Sequence, residues 1–136
     1  MSRPKKRLVI GLGFRDQASA QSIGEVLADA VAKAAMPDAA VELAVVEDKA
    51  THPCLLVAAR ATRLSITTIA AEALRAADPR VATRSERVLR QRGVGSVCEA
   101  AALAAAGAGA RLVVTRQVST DRNATAAAAL SEDIAP

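Results

Sequence analysis

Aromatic residues are almost absent from this 136-residue chain, which has no tryptophan, no tyrosine and a single phenylalanine, Phe14. Proteins that bind single-stranded nucleic acid usually combine basic charge with aromatic side chains on which the bases stack. The chain has the basic charge, a formal net charge of +4, but lacks the aromatic side chains. We therefore expect an anionic partner other than nucleic acid.

Long apolar runs are also missing. Charged residues interrupt every hydrophobic stretch before it reaches the roughly 18 to 20 residues that a membrane-spanning helix needs. The basic start of the chain leads into only a short strand-like run, without the longer apolar region and cleavage site of an export signal. We expect a cytoplasmic protein that does not bind membranes.

Cysteine and histidine are scarce as well. The two cysteines, Cys54 and Cys98, are expected to be free and largely buried, because a cytoplasmic chain of this size does not need a disulfide. The only histidine, His52, has no neighbouring Cys, His and carboxylate group at a recognised metal-binding spacing. No G-x-S-x-G motif marks a serine nucleophile, which argues against a Ser-His-Asp hydrolase that would use His52. We predict no metal and no cofactor.

The chain does contain alternating strand-like and helix-like segments. Residues 7–14 predict a buried strand that ends in a tight glycine turn, residues 23–34 predict an amphipathic helix, and residues 41–46 predict a second buried strand. A strand, helix and strand in this order imply parallel pairing with a right-handed crossover. The loops around Gly13 and Lys49 should then meet at the carboxyl edge of the sheet.

Serine residues predict where two helices begin. Ser96 and Glu99 have capping-box spacing at the start of a helix predicted over 97–106. For the first helix, Ser22 and Glu25 have the same spacing, and Ser19 is an earlier candidate cap.

The other segments complete one domain. In chain order, the pattern predicts a short helix from Pro53, a short strand over 64–66, a helix from Thr67 or Thr68 to about Ala77, a surface helix or an edge strand within 80–92, a strand over 111–115, and a strand or a helix over 124–130. We expect a single three-layer α/β/α domain over residues 7–131, with a mostly parallel or mixed sheet. A basic tail over residues 1–6 and a C-terminal tail over 132–136 should flank it.

Two glycine-containing loops and several basic residues are predicted at the edge where open α/β sheets bind ligands. Loops of this kind can present backbone N–H groups to an anion. They are also consistent with structural turns and a capping box, and both interpretations remain open. The candidate ligand-binding residues are Gly11, Gly13, Phe14, Arg15, Lys49, Gly93, Gly95, Ser96, Val97, Glu99 and Arg116, with Arg122 in an adjacent loop.

The motifs GLGFR, EDK, GVGSVCEAAALAAAG and TRQVSTDRNAT occur in this order along the chain. This order resembles the CobE/CbiG C-terminal family of cobalamin (vitamin B12) biosynthesis, most specifically over residues 93–107. The resemblance implies a compact α/β unit, found alone or fused behind another domain in CbiG, and we expect this chain to comprise that unit alone. CbiG is associated with opening a ring-contraction lactone of a cobalt-precorrin. Phe14 stands where other members often have cysteine, and Arg116 where lysine is common.

Three functional hypotheses follow. The resemblance favours a non-catalytic accessory or carrier protein that binds or hands on a corrin or precorrin intermediate, with other B12-pathway enzymes as candidate partners. Basic loops and helix amino ends suit the many carboxylates of such a ligand. The alternatives are a CbiG-like hydrolase that uses Glu99 or Lys49 for proton transfer, and a generic phosphate- or nucleotide-binding module.

Overall fold

The computed structural model describes residues 5–135, with side chains described from residue 6 to residue 131. In chain order the elements are β1 (Lys5–Phe14), α1 (Ala20–Ala34), β2 (Ala40–Val46), α2 (Pro53–Thr62), β3 (Ile66–Ile69), α3 (Ala71–Ala76), α4 (Glu86–Arg92), α5 (Val97–Ala106), β4 (Arg111–Val118) and β5 (Ala124–Ala135). Single turns of 3-10 helix follow β2 at Glu47–Lys49 and α3 at Asp78–Arg80. In the part of the chain that the structure describes, no helix is long and apolar enough to cross a bilayer.

The five strands form one mixed sheet in the order β3-β2-β1-β5-β4. The pairs β1/β2 and β2/β3 are parallel, as predicted for the first two strands. The pairs β1/β5 and β4/β5 are antiparallel. The central strand, β1, therefore has a parallel neighbour on one side and an antiparallel neighbour on the other.

Helices cover both faces of the sheet, which confirms the three-layer α/β/α architecture. Alternate side chains of β1 point to opposite faces. Leu8, Ile10 and Leu12 pack in a core with α1 and α2. Val9 packs on the other face, in a core that includes α3 and α5.

The alanine-rich segment that the sequence left open between strand and helix is a strand. Ala126, Ala127, Ala128 and Ala129 of β5 are each 0% exposed, because the strand lies between β1 and β4 and contacts α1 and α5. Small side chains allow helices to approach closely on both faces. Tertiary packing thus overrides the helix propensity of alanine.

Several predicted boundaries were wrong. The short strand lies at Ile66–Ile69 rather than 64–66, so Thr67 and Thr68 belong to a strand and not to the start of a helix. The β1/β5 ladder extends beyond residues 7–131, to the pair Lys5 and Ala135. Residues 1–4 and 136 of those tails lie outside the described residues.

The capping box predicted for α1 was wrong, while the earlier candidate was right. Ser19 is the N-cap, and its hydroxyl accepts a hydrogen bond of 3.0 Å from the Ser22 amide. Ser22 and Glu25 lie within the helix and face the β4–β5 turn instead. The Ser22 hydroxyl donates to Asp121, and the Glu25 carboxylate accepts two bonds from Thr120.

The helix predicted over 97–106 has the predicted bounds, but its capping box is absent. The Ser96 side chain makes no capping hydrogen bond in the described structure, and Glu99 points elsewhere. Residues 80–92, left open between a helix and an edge strand, contain α4.

Candidate functional site

An open cleft of about 570 Å³ lies where β1 and β2 end. Its walls come from the β1–α1 loop, the turn after β2, α4, the amino end of α5, and the β4–β5 hairpin. Ligands bind at this edge of open α/β sheets, where the strand order changes direction. The topology alone therefore marks the cleft as the candidate site.

The structure brings seven of the eleven predicted site residues together. They belong to separate segments that meet through the parallel pairing of β1 with β2, the antiparallel pairing of β5 with β1 and β4, and the docking of α5. Those that line the cleft are Gly13, Phe14, Arg15, Lys49, Ser96, Val97 and Arg116.

Three of the predicted glycines do not line the cleft. Gly11 is buried under α5, where a β-carbon would lie 1.9 Å from the carbonyl oxygen of Cys98. Gly93 ends α4 with a φ of +75°. Gly95 is buried, and its amide donates a 2.8 Å hydrogen bond to Asp78. These glycines are used in close packing, in a helix end and in a backbone hydrogen bond outside the cleft lining.

Glu99, predicted as a ligand-binding and candidate catalytic residue, is 0% exposed and lies beneath the cleft. Its Oε1 accepts hydrogen bonds of 2.8 Å from the amides of Ala82 and Thr83. Its Oε2 accepts 2.7 Å from the Thr83 hydroxyl and 2.8 Å from the Arg116 amide. Four donors thus occupy the carboxylate, and Glu99 is not among the described residues that line the cleft.

Sequence reasoning missed one whole wall of the cleft, contributed by α4. Arg87, Val88, Gln91 and Arg92 all line it. Their i, i+4 spacing places them along one side of a helix. The sequence did not decide whether residues 80–92 form a helix or a strand, so this shared side could not be predicted. Arg122, expected in an adjacent loop, also lines the cleft. The other lining residues not among the candidates are Leu12, Asp16, Gln17, Val46, Ser85, Val118, Asn123 and Thr125.

The cleft is strongly basic. Asp16 is the only acidic side chain among its described lining residues, and its carboxylate lies 2.5 Å from Lys49 Nζ. The hydrogen bond and charge of Lys49 lower the pKa of Asp16. Lys49 Nζ also lies 5.4 Å from the centre of the Phe14 ring. The six basic lining residues are Arg15, Lys49, Arg87, Arg92, Arg116 and Arg122.

His52 and Cys54 lie beside the cleft and support its wall. One ring nitrogen of His52, Nε2, lies 2.9 Å from the Asp16 carbonyl oxygen, and Nδ1 accepts a 3.3 Å bond from the Cys54 amide as the N-cap of α2. The His52 ring packs edge-on against Phe14, with ring centres 5.3 Å apart. His52 therefore links the β1–α1 loop to α2.

Both cysteines are free and buried, as predicted. Burial raises the pKa of the Cys54 thiol and of the Cys98 thiol. A raised pKa disfavours the reactive thiolate, so neither side chain is a good nucleophile. Among the described residues, no three of His, Cys, Asp and Glu form a group that could hold a metal ion.

The β4–β5 turn is held by the Asp121 carboxylate. Hydrogen bonds from Ser119, Ser22 and the Asn123 amide lower its pKa to about 2. Arg122, the next residue, has a φ of +64° and lines the cleft. The turn thus presents Arg122 and Asn123 in a fixed geometry.

The family model and the solved structures that match this chain all belong to cobalamin biosynthesis. The sequence model of the family "Cobalamin synthesis G C-terminus" matches residues 8–129. The crystal structure of CobE, a protein from the cobalamin (vitamin B12) biosynthetic pathway, superposes with a TM-score of 0.81 at 28% identity, covering 96% of this chain and 94% of that one. The crystal structure of cobalamin biosynthesis protein chiG from Agrobacterium tumefaciens strain C58 has a TM-score of 0.68 at 38% identity, covering 93% and 99%. No curated protein sequence matches the chain.

Proposed function

Since this chain belongs to the cobalamin synthesis G C-terminus family, we propose that it binds a polycarboxylate corrin or precorrin intermediate in the cleft and hands it on. The observation that carries the proposal is the charge of the cleft, which has six basic lining side chains against one acidic one. Clefts lined by one sign of charge concentrate ligands of the opposite sign and accelerate their association. A ligand with carboxylates around its rim fits this surface.

The apolar part of the cleft supports the same ligand. Ligand sites commonly combine apolar walls with a few well-placed polar groups. A corrin intermediate combines an apolar macrocycle with acetate and propionate side chains, and both kinds of surface are present here. The apolar lining residues are Leu12, Phe14, Val46, Val88, Val97 and Val118.

The basic residues divide into two sets. Lys49 is paired with Asp16, and Arg92 with Asp48 at 2.8 Å. Among the side chains that the structure describes, no acidic group lies within ion-pair distance of the other four cations, Arg15, Arg87, Arg116 and Arg122. These four are available to carboxylates of a ligand without first breaking an internal ion pair.

The proposed role is that of a carrier rather than a catalyst. The two residues first considered for proton transfer are both engaged within the protein, Glu99 by four donors and Lys49 by Asp16. A carrier needs only to bind and release its ligand. The proposal has the protein working in the cytoplasm and passing the intermediate to other enzymes of the pathway.

The test is an anaerobic titration of the purified protein with hydrogenobyrinic acid and with precorrin intermediates, followed by absorbance and by pigment recovery after gel filtration. We expect stoichiometric, chemically unchanged pigment. A new chromophore or mass would identify an enzyme instead. Thermal stabilisation by nucleotides but not by corrinoids would favour a nucleotide-binding module.

A matched pair of double variants locates the site. Arg87→Ala with Arg116→Ala removes two cleft cations that have no internal ion pair among the described residues, and should weaken binding by roughly 100-fold, since a hydrogen bond to a charged group contributes about 1.5 to 3 kcal/mol. Arg60→Ala with Arg111→Ala makes the same change in charge at exposed positions outside the cleft and should leave binding within about twofold. Equal affinities for the two double variants would refute the assignment of the cleft.

A further inference from the structure

The buried Glu99 carboxylate connects two walls of the cleft that are far apart in sequence. One pair of its donors belongs to Ala82 and Thr83, in the segment that leads into α4. Another donor is the backbone amide of Arg116 in β4. We propose that Glu99 is a positioning residue for the ligand, because it fixes Arg116 on one wall and the start of α4 on the other. This inference rests on the proposed function of the cleft.

The pairing of β4 with β5 is irregular at Arg116, so the Glu99 side chain, rather than the sheet, accepts the hydrogen bond of the Arg116 amide. The β4/β5 register shifts between Val114 and Gln117, which pair with Ala128 and Ala126. Two residues of β4 therefore stand opposite Ala127, which is the arrangement of a β-bulge. Bulges disrupt the ladder locally and redirect side chains, often beside functional sites. The Arg116 amide bonds to Glu99 at 2.8 Å.

The α4 wall also depends on hydrogen bonds. None of the seven described residues of α4 is buried, and Val88 is its one side chain described as packing against a core, so packing alone fixes its position weakly. At its base, the Ser85 amide donates to the Gly95 carbonyl and the Gly95 amide to Asp78, both at 2.8 Å. The contacts of Glu99 with residues 82–83 complete this anchoring. The hydrogen bonds of Glu99 thus help to set the position from which the Arg87 side chain reaches the ligand.

The substitution Glu99→Gln tests this role with little change in shape. A glutamine amide group at the Oε1 position would face two backbone N–H donors. At the Oε2 position it would face the Arg116 N–H, while the Thr83 hydroxyl can rotate to accept. The second orientation has fewer conflicts, so the variant should lose the bond to Arg116 in particular.

The experiment is a double-mutant cycle on the Kd for hydrogenobyrinic acid. We expect Arg116→Ala to weaken binding by about tenfold in the wild type, and by less than about threefold in the Glu99→Gln background, because Arg116 is then no longer held in place. An equal cost in both backgrounds would overturn the inference while leaving the proposed function intact. Failure of the wild type to bind would overturn both.

Two further variants keep the cycle interpretable. Glu42→Gln alters a half-buried carboxylate that pairs with Arg7 at the opposite end of the sheet, and Arg116→Ala should keep its full cost in that background.

If Glu99→Gln does not fold, Thr83→Val removes a single donor and leaves Glu99 in place. Its cycle with Arg87→Ala should then be non-additive, and an additive result would contradict the role of Glu99.

Discussion

Gly11 sets the distance between the central strand and α5. A β-carbon at this position would lie 1.9 Å from the Cys98 carbonyl oxygen and 2.6 Å from the Ala102 nitrogen. Both atoms belong to the backbone of a helix and cannot rotate away. Gly11→Ala should therefore lower the free energy of unfolding by about 3 kcal/mol or more, at the upper end of overpacking costs. Urea denaturation measures the loss.

A second glycine provides the control. Gly24 lies inside α1, and a β-carbon there would meet nothing within 4 Å. Gly24→Ala should raise the free energy of unfolding by about 0.5 to 1 kcal/mol, because alanine has the higher helix propensity. If both variants shift the urea midpoint in the same direction, the close contact of β1 with α5 is not what Gly11 provides.

Asp121 should make stability depend on pH. Its pKa in the folded protein is about 2, below the ordinary value of 3.8, so its contribution is fully present above pH 3.8 and is lost as the pH falls toward 2. Asp121→Asn resembles the protonated form. At neutral pH we expect the wild type to have a clearly higher urea midpoint than the variant. Near pH 2 the two midpoints should lie closer together. A difference that does not change with pH would contradict the assigned hydrogen bonds.

Helix starts show how far local sequence patterns can be trusted. Ser19 and Ser22 both match a cap, and only the packing of α1 against the β4–β5 turn distinguishes them. Ser22 is buried there and bonds to Asp121, which leaves Ser19 as the cap. The same applies to Glu99, whose spacing from Ser96 suggests a capping box although its partners come from residues 82–83 and Arg116. Long-range partners of this kind have no signature in local spacing.

The two serine caps, Ser19 of α1 and Ser85 of α4, should differ in their effect on stability. Ser19→Ala removes a 3.0 Å bond from a helix packed in the core and should cost about 1 kcal/mol. The cap bond of Ser85 in α4 is longer, at 3.4 Å, and the described residues of α4 are not buried. Ser85→Ala should therefore change the free energy of global unfolding by less than about 0.5 kcal/mol. Thermal denaturation of both variants compares them, and a larger loss for Ser85→Ala would show that α4 contributes more to the core than its exposure indicates.

The cleft as a whole was predictable in outline because parallel strands end at the same edge. The loops after β1 and β2 had to meet, so Gly13, Phe14 and Lys49 were placed together from the sequence. The segments on either side of α4 make partly buried hydrogen bonds to Glu99 and Asp78. The β4–β5 turn depends on contacts with α1. Three-dimensional contacts, rather than residue patterns, complete the site.

If the cleft binds a corrin intermediate as proposed, its charge predicts which intermediates it should prefer. Among the described lining residues, six cations from five segments surround a space with one acidic side chain, so each carboxylate on the rim of such a ligand should add to the affinity. Hydrogenobyrinic acid should therefore bind more tightly than its diamide, which has the same macrocycle and two fewer negative charges. Raising the ionic strength from about 0.05 to about 0.5 M should weaken binding of the acid by roughly tenfold, since salt screens exposed charges over the Debye length. The diamide should show the smaller salt dependence. Equal affinities with no salt effect would mean that the apolar wall, and not the charge of the cleft, determines recognition.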